Sequence, residues 1–164
     1  MNDLADLLER LRRGPELIAT ATTGVAGSAL DFQPAPDKWS VRTIVCHLAD
    51  AECVAAMRLR QILAEEKPSM QAWDQDLWAV RLPYQQRKAS DALDTFRRLR
   101  ADNFNLLKDI PESDFARTGI HSEHGTMTLR ALLQLIAEHP EKHAGQIMAV
   151  RAAYKEYRAK QAAT

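Results

Sequence analysis

The sequence predicts an all-α fold, a four-helix bundle, and three observations carry that prediction. Apolar residues recur every three or four positions over long stretches, the period of a helix with one buried face. Only 6 of 164 residues are glycine, and the alternation of a half-buried strand is absent. Four helical segments are separated by proline-, glycine- and polar-rich connections, and a chain of this length makes one ordinary domain, here residues 1–164.

The first segment, Leu4 to Val25, carries Leu4, Leu7, Leu8 and Leu11, then Leu17, Ile18 and Ala21. Gly14-Pro15 interrupts it, and a proline inside a helix forfeits a backbone hydrogen bond, so a break or kink is expected there. Residues 31–38, with Pro34 and Pro36, read as a loop. Ser40 then caps the second helix, with Trp39 before it placed to pack on the first turn. Its apolar face runs Ile44, Leu48, Ala51, Ala55, Leu59 and Ile62, with His47 on or beside it, and it stops before Pro68. Residues 67–89, containing Trp73, Trp78, Pro83 and Tyr84, are long enough to hold short structure or to serve a site. A connection of that length also fits a crossover between parallel helices. The third helix runs from Ser90, its N-cap, to Ile110 through Ala92, Phe96, Leu99 and Leu106. After a turn region with Pro111, Gly119 and Gly125, Thr128 caps the last helix, Leu129 to Tyr157.

Composition narrows the function. Lys and Arg number 22 and are balanced by 22 Asp and Glu, which argues against a nucleic-acid partner. The local run Arg97, Arg98 and Arg100 is flanked by Asp91, Asp94 and Asp102 and reads as a solvated helix face. No apolar stretch approaches the roughly 20 residues of a membrane span, and the N-terminus has no signal-peptide core. A soluble, cytoplasmic protein with no membrane partner is therefore expected. Cys46 and Cys53 sit two helical turns apart, roughly 10 Å between Cα atoms, too far for a disulfide. Both are expected to be reduced; Cys46, next to His47, reads by default as a small buried thiol, with a catalytic role as the alternative.

The chemistry concentrates in His139 and His143, an H-x-x-x-H pair inside the last helix. Residues four apart share a helix face, and this face runs Leu129, Leu132, Ile136, His139, His143, Ile147, Val150 and Tyr154. Two imidazoles in a stripe destined for burial need partners, and one metal ion satisfies both. His47 is the candidate third ligand. Neutral imidazoles suit Zn²⁺, Ni²⁺, Cu²⁺ or Fe²⁺, and three protein ligands leave positions open for water or substrate. Histidine pairs of this spacing also occur on helix surfaces and in hydrogen-bonded cores. Pro140 removes the backbone bond to Ile136, so a kink is expected between the two rings. No H-E-x-x-H or E-x-x-H is present, which excludes the zincin motif and disfavours a ferritin-like di-iron site. His121 and His124, three apart on a loop, are placed to line the mouth of a site.

These residues resemble a known family. Trp39-Ser40, then His47-Leu48-Ala49-Asp50 with Glu52 and Arg58, is similar to the helix-two signature of the DinB-like (DinB/YfiT) bundle proteins. The run His121 to Leu129, followed by His139, His143, Gln146 and Ile147, resembles their C-terminal signature; Asp74-Gln75-Asp76 and Trp78 resemble a pattern of one branch. The similarity extends from about residue 15 to 152. It implies an up-down-down-up four-helix bundle, often a homodimer, with a divalent metal (Zn, Ni or Fe) held by His47, His139 and His143. It also implies either hydrolysis or the transfer of a low-molecular-weight thiol to an electrophile, since members of both descriptions occur.

The resulting expectation is a cytoplasmic metal-dependent enzyme that activates water or a small thiol for attack on a small electrophilic substrate. Asp50 is the candidate to orient a ligand, one turn beyond His47. Gln146, Trp78 and His121 are candidates to line the pocket, with Asp50, His121 and Gln146 as possible catalytic groups, whereas Trp39 and Trp73 read as packing residues. The rival expectation is a non-catalytic stress-response or binding protein whose metal site is structural or vestigial.

Overall fold

The computed structural model describes residues 3–163. In chain order its helices are α1 (Leu4–Thr22), α2 (Ser28–Asp31), α3 (Val41–Ala64), α4 (Gln75–Arg81), α5 (Ala89–Leu107) and α6 (Leu129–Ala162). The long ones, α1, α3, α5 and α6, build the bundle. Cross-helix contacts give their directions. Arg10 meets Glu141, Gly14 abuts Pro140, and Arg151 donates to the Ala21 carbonyl, so α1 and α6 run parallel. Arg42 reaches the Arg87 carbonyl, Glu52 meets Asn103, and Arg60 meets Asp102, so α3 and α5 run parallel. The order is up-down-down-up, and the long connection after α3 is the crossover that this order requires.

The core falls into two apolar clusters. One holds Leu7, Leu11, Leu59, Ile62, Leu107, Leu129 and Leu133; the other holds Ile18, Ile44, Leu48, Phe96, Ile147 and Val150. Between them along the helices lies a different layer: Gly14 on α1, Glu52 on α3, Arg100 and Asn103 on α5, and Pro140 on α6. The side chains of Glu52, Arg100 and Asn103 are almost wholly buried there.

A small sheet closes one end. β1 (Ser69–Met70) pairs in parallel with β2 (Thr118–His121), which pairs antiparallel with β3 (Gly125–Thr128). Strands this short leave no periodic signal in the sequence. Gly125 adopts φ +68°, the left-handed conformation the turn between β2 and β3 needs. Thr128, at the end of β3, caps α6 by accepting from the Ala131 N–H at 3.1 Å.

Several expectations are corrected. α1 is uninterrupted through Gly14-Pro15, because packing of that face on α6 outweighs one lost hydrogen bond. α6 runs as one helix across Pro140 and ends at Ala162, beyond the expected Tyr157. α5 begins at Ala89 after Lys88, which makes no side-chain cap, while Ser90 donates to Asp91 instead; the helix stops at Leu107. Its buried stripe is Ala92, Phe96, Arg100, Asn103 and Leu107, so Arg100 faces the interior and not solvent. Cys46 is buried and Cys53 exposed, both free, and burial pushes the Cys46 thiol up to about 11.

Candidate metal centre

Ser40 starts α3 by accepting from the Thr43 N–H, which sets His47 two turns in, facing α6. From α6, His139 and His143 project one turn apart. The three rings meet at their Nε2 atoms: His47 to His139 at 3.1 Å and His143 to His139 at 3.0 Å. Metal–imidazole bonds of roughly 2.0–2.1 Å, at angles between octahedral and tetrahedral, place neighbouring nitrogens roughly 2.9–3.4 Å apart. The donor set therefore fits a divalent transition metal.

Charge state agrees with that fit. Burial is the largest cause holding all three imidazoles below their ordinary range, to about 3 at His47 and about 2 at His139; His143 is lowered for the same reason, against a raising contact with Gln146. At neutral pH they are uncharged ligands. His139 carries at most one Nε2 proton, which cannot serve both facing nitrogens, whereas a cation satisfies all three lone pairs.

Outer contacts divide unevenly. His143 Nδ1 lies 2.9 Å from Gln146 Oε1, so Gln146 accepts its proton and fixes Nε2 as the ligand atom. His47 Nδ1 is buried without a hydrogen-bond partner. Aromatic rings hold it instead. Trp39 lies 4.8 Å from it between centroids and within 5° of parallel to the His143 ring, and Trp73 stacks on His47 at 5.6 Å. Both tryptophans thus belong to the site, contrary to their reading as packing residues. Trp39 earns its place as the residue before the α3 cap, and Trp73 as the residue just before α4. Trp78 packs behind Trp73 at 4.5 Å and supports that wall.

Two clefts reach the rings. One, of about 750 Å³, is lined by Trp39, His124, His139, Lys142, His143 and Gln146. A second, of about 270 Å³, shares His139 and includes His47, Trp73 and Glu52.

Asp50 is engaged away from the three rings. Its carboxylate accepts from Tyr84 Oη at 2.6 Å and Arg87 at 2.8 Å, anchoring the connection that leads into α5. Asp50 lies one turn beyond His47, but a helical turn does not place the two side chains on a common partner. His121 is held by its own turn. It is buried, and its Nδ1 accepts from the Glu123 and His124 N–H groups, bracing the β2–β3 turn. His124 stacks on it at 4.7 Å and is the member of that pair that reaches the cleft.

A family model described as the DinB superfamily matches residues 10–147. The chain belongs to the DinB superfamily. Relatives bearing the name "Putative metal-dependent hydrolase" occur in Oceanobacillus iheyensis, 26% identical over 147 residues (90% of this chain, 81% of that one). Another such relative, from Geobacillus thermodenitrificans, is 27% identical over 150 residues (91% and 84%). Among solved structures, YfiT from Bacillus subtilis superposes with a TM-score of 0.85 at 23% identity, covering 94% of this chain and 91% of YfiT. YfiT is described as a probable metal-dependent hydrolase with an unusual four-helix bundle topology. The likeness shows that this DinB-superfamily chain shares that bundle. Among the described residues, no helix is long and apolar enough to cross a membrane.

Proposed function

We propose that this DinB-superfamily chain is a metal-dependent hydrolase acting on a small electrophilic substrate, with His47, His139 and His143 as its three metal ligands. The observation that carries the reading is the convergence of three uncharged Nε2 atoms, from the buried His47 and His143 and the half-buried His139, beside a cleft large enough for a small molecule. Held by His47, His139 and His143, a divalent transition metal would supply Lewis acidity toward a substrate carbonyl and would make water, or a low-molecular-weight thiol, more acidic.

The chain's own groups do the rest. Gln146 holds the His143 tautomer that leaves Nε2 free. Trp39 and Trp73 keep bulk water from the flank of His47 and offer flat apolar walls to a substrate. Lys142 brings a positive charge to the cleft, and His124, exposed at its mouth, is placed to move a proton between substrate and solvent. All three ligands and both walls come from one chain, so the chemistry needs no second copy. Cys46 faces away from the rings, toward Tyr84, with its Sγ 4.0 Å from that residue's carbonyl oxygen.

The test is elemental analysis of untagged protein beside His47→Ala, followed by hydrolysis assays on activated esters and amides, with and without an added small thiol. About one transition metal per chain in the wild type, lost in the variant together with turnover, supports the reading. Turnover that requires the thiol redirects it to thiol transfer. Metal whose removal lowers only the melting temperature, with no turnover on any substrate, favours a structural site.

A further inference from the structure

Pro140 lies between two of the three candidate ligands, and it has no N–H with which to close the helical bond to the Ile136 carbonyl. Ile136 is buried, so that oxygen has no access to bulk water, and a buried carbonyl without a donor is costly. The missing donor comes from another helix. Arg100 of α5 reaches across the bundle, and its Nη1 donates to the Ile136 carbonyl at 3.1 Å.

Arg100 is only 1% exposed, and a cation so placed needs holding. Glu52 of α3 supplies the countercharge, with Oε2 2.7 Å from Nη2. The Nη2–H is not aimed at that oxygen, so the contact is a charge pair and not an aligned hydrogen bond; Nε has no partner at all. Asn103 in turn donates to Glu52 Oε1 at 2.8 Å and accepts from Arg60 at 3.0 Å. A buried ion pair with an unmet donor adds little to stability over an apolar layer of equal volume. Its evident product is local: it terminates on the one backbone oxygen of α6 that proline has left open, in the turn that carries His139.

We propose that Arg100, held by Glu52, is a positioning residue for His139: it replaces from α5 the hydrogen bond that Pro140 removes from α6. Without it the Ile136 carbonyl tilts away from the helix axis in search of a partner, the turn opens, and the His139 ring leaves the point where the three Nε2 atoms meet. The consequence for metal binding rests on the metal-centre reading above; the consequence for the His139 ring does not.

The decisive comparison uses the full chain carrying Glu52→Gln with Arg100→Met, and the same pair with Pro140→Ala, which restores the N–H to the helix. Removing both charges leaves no unpaired ion in the core. Two quantities are read: Co²⁺ affinity and visible spectrum by titration, and the ring signals of His139 by ¹H–¹⁵N NMR in metal-free protein. The double variant is expected to bind Co²⁺ about tenfold more weakly, the lower end of what outer contacts of metal ligands contribute, and to move the His139 signals. Adding Pro140→Ala is expected to recover most of the affinity and return the signals. Wild-type affinity and unmoved signals in the double variant would overturn the proposal, as would a loss that Pro140→Ala does not repair. Should the double variant fail to fold, Arg100→Lys with and without Pro140→Ala carries the same comparison, since a lysine cannot reproduce the fork that spans Glu52 and Ile136. A wild type that takes up no Co²⁺ removes the metal reading alone, and the His139 signals then decide the positioning.

Discussion

Replacing Gly14 by alanine tests the close contact of α1 with Pro140 on α6. A Cβ at that position would stand 2.8 Å from Pro140 Cγ and 3.3 Å from Arg100 Nη1. Carbon atoms in ordinary contact sit roughly 3.5–4.0 Å apart, so α1 must retreat by about 0.7 Å or more, or the proline must yield. The proline ring can shift its Cγ only by changing pucker, while its backbone is held within α6, and the arginine is pinned by Glu52 and Ile136. Overpacking of this kind costs about 1–3 kcal/mol, here nearer the upper end because neither neighbour can move cheaply. Against it stands the gain of alanine over glycine in a helix, about 0.8–1.0 kcal/mol. The net is a loss of about 1–2 kcal/mol, or roughly 2–8 °C in melting temperature for a domain of this size. Gly145, also in a helix, is the internal control: it is exposed, and nothing lies within 4 Å of an added Cβ. Gly145→Ala should therefore stabilise by about 0.5–1 kcal/mol. Urea and thermal unfolding of the two variants, with Gly14→Ala/Pro140→Ala as the relieving partner, provide the assay. Equal stabilisation by both alanines would refute the argument, because propensity alone would then be at work.

Two further outcomes follow from the site. In chelated protein, the unfolded state regains imidazoles with ordinary affinity near pH 6.5, whereas His47 and His139 stay neutral when folded, and burial shifts His143 in the same direction. The unfolded state thus binds more protons below that pH, and stability present above it is lost as pH falls toward about 3, by up to ~1.4 kcal/mol per ring per pH unit. Urea midpoints between pH 7.5 and 5 should drop, less steeply in His47→Ala; a flat profile contradicts the burial of the rings. Asp50→Ala should cost about 2–3 kcal/mol by freeing Arg87 and Tyr84, while metal content measured by elemental analysis stays at the wild-type level. Loss of metal from that variant would return Asp50 to the site.

The helices and the histidine cluster are legible in the sequence because both rest on local spacing. His139 and His143 interrupt an apolar stripe at a four-residue step, and His47 sits at the matching place in a second stripe. Less legible is anything that depends on the partner helix. Arg100 lies four residues after Phe96 in the buried stripe, yet its charge and its arginine neighbours read as a wet face until Glu52 is seen opposite. Gly14-Pro15 and Pro140 read as separate helix breakers, whereas they are two halves of one contact. Turn counting makes Asp50 a candidate beside His47, but it carries no sign of Tyr84 and Arg87, which arrive from 34 and 37 residues away. Trp39 and Trp73 flank the helix and the crossover, and only the folded connection brings them onto His47.

The placement of those rings also decides what light reports about this protein. The chain has three tryptophans, and all of them belong to one linked aromatic cluster running Trp39, His47, Trp73, Trp78. Its ultraviolet emission is therefore a probe of the cleft and not of the bundle as a whole. Circular dichroism averages over the helices, while fluorescence follows two connections, before α3 and before α4, that close over the histidines. If those connections open before the helices melt, the two signals separate along a denaturant series, and the gap between them measures how firmly the cleft is shut.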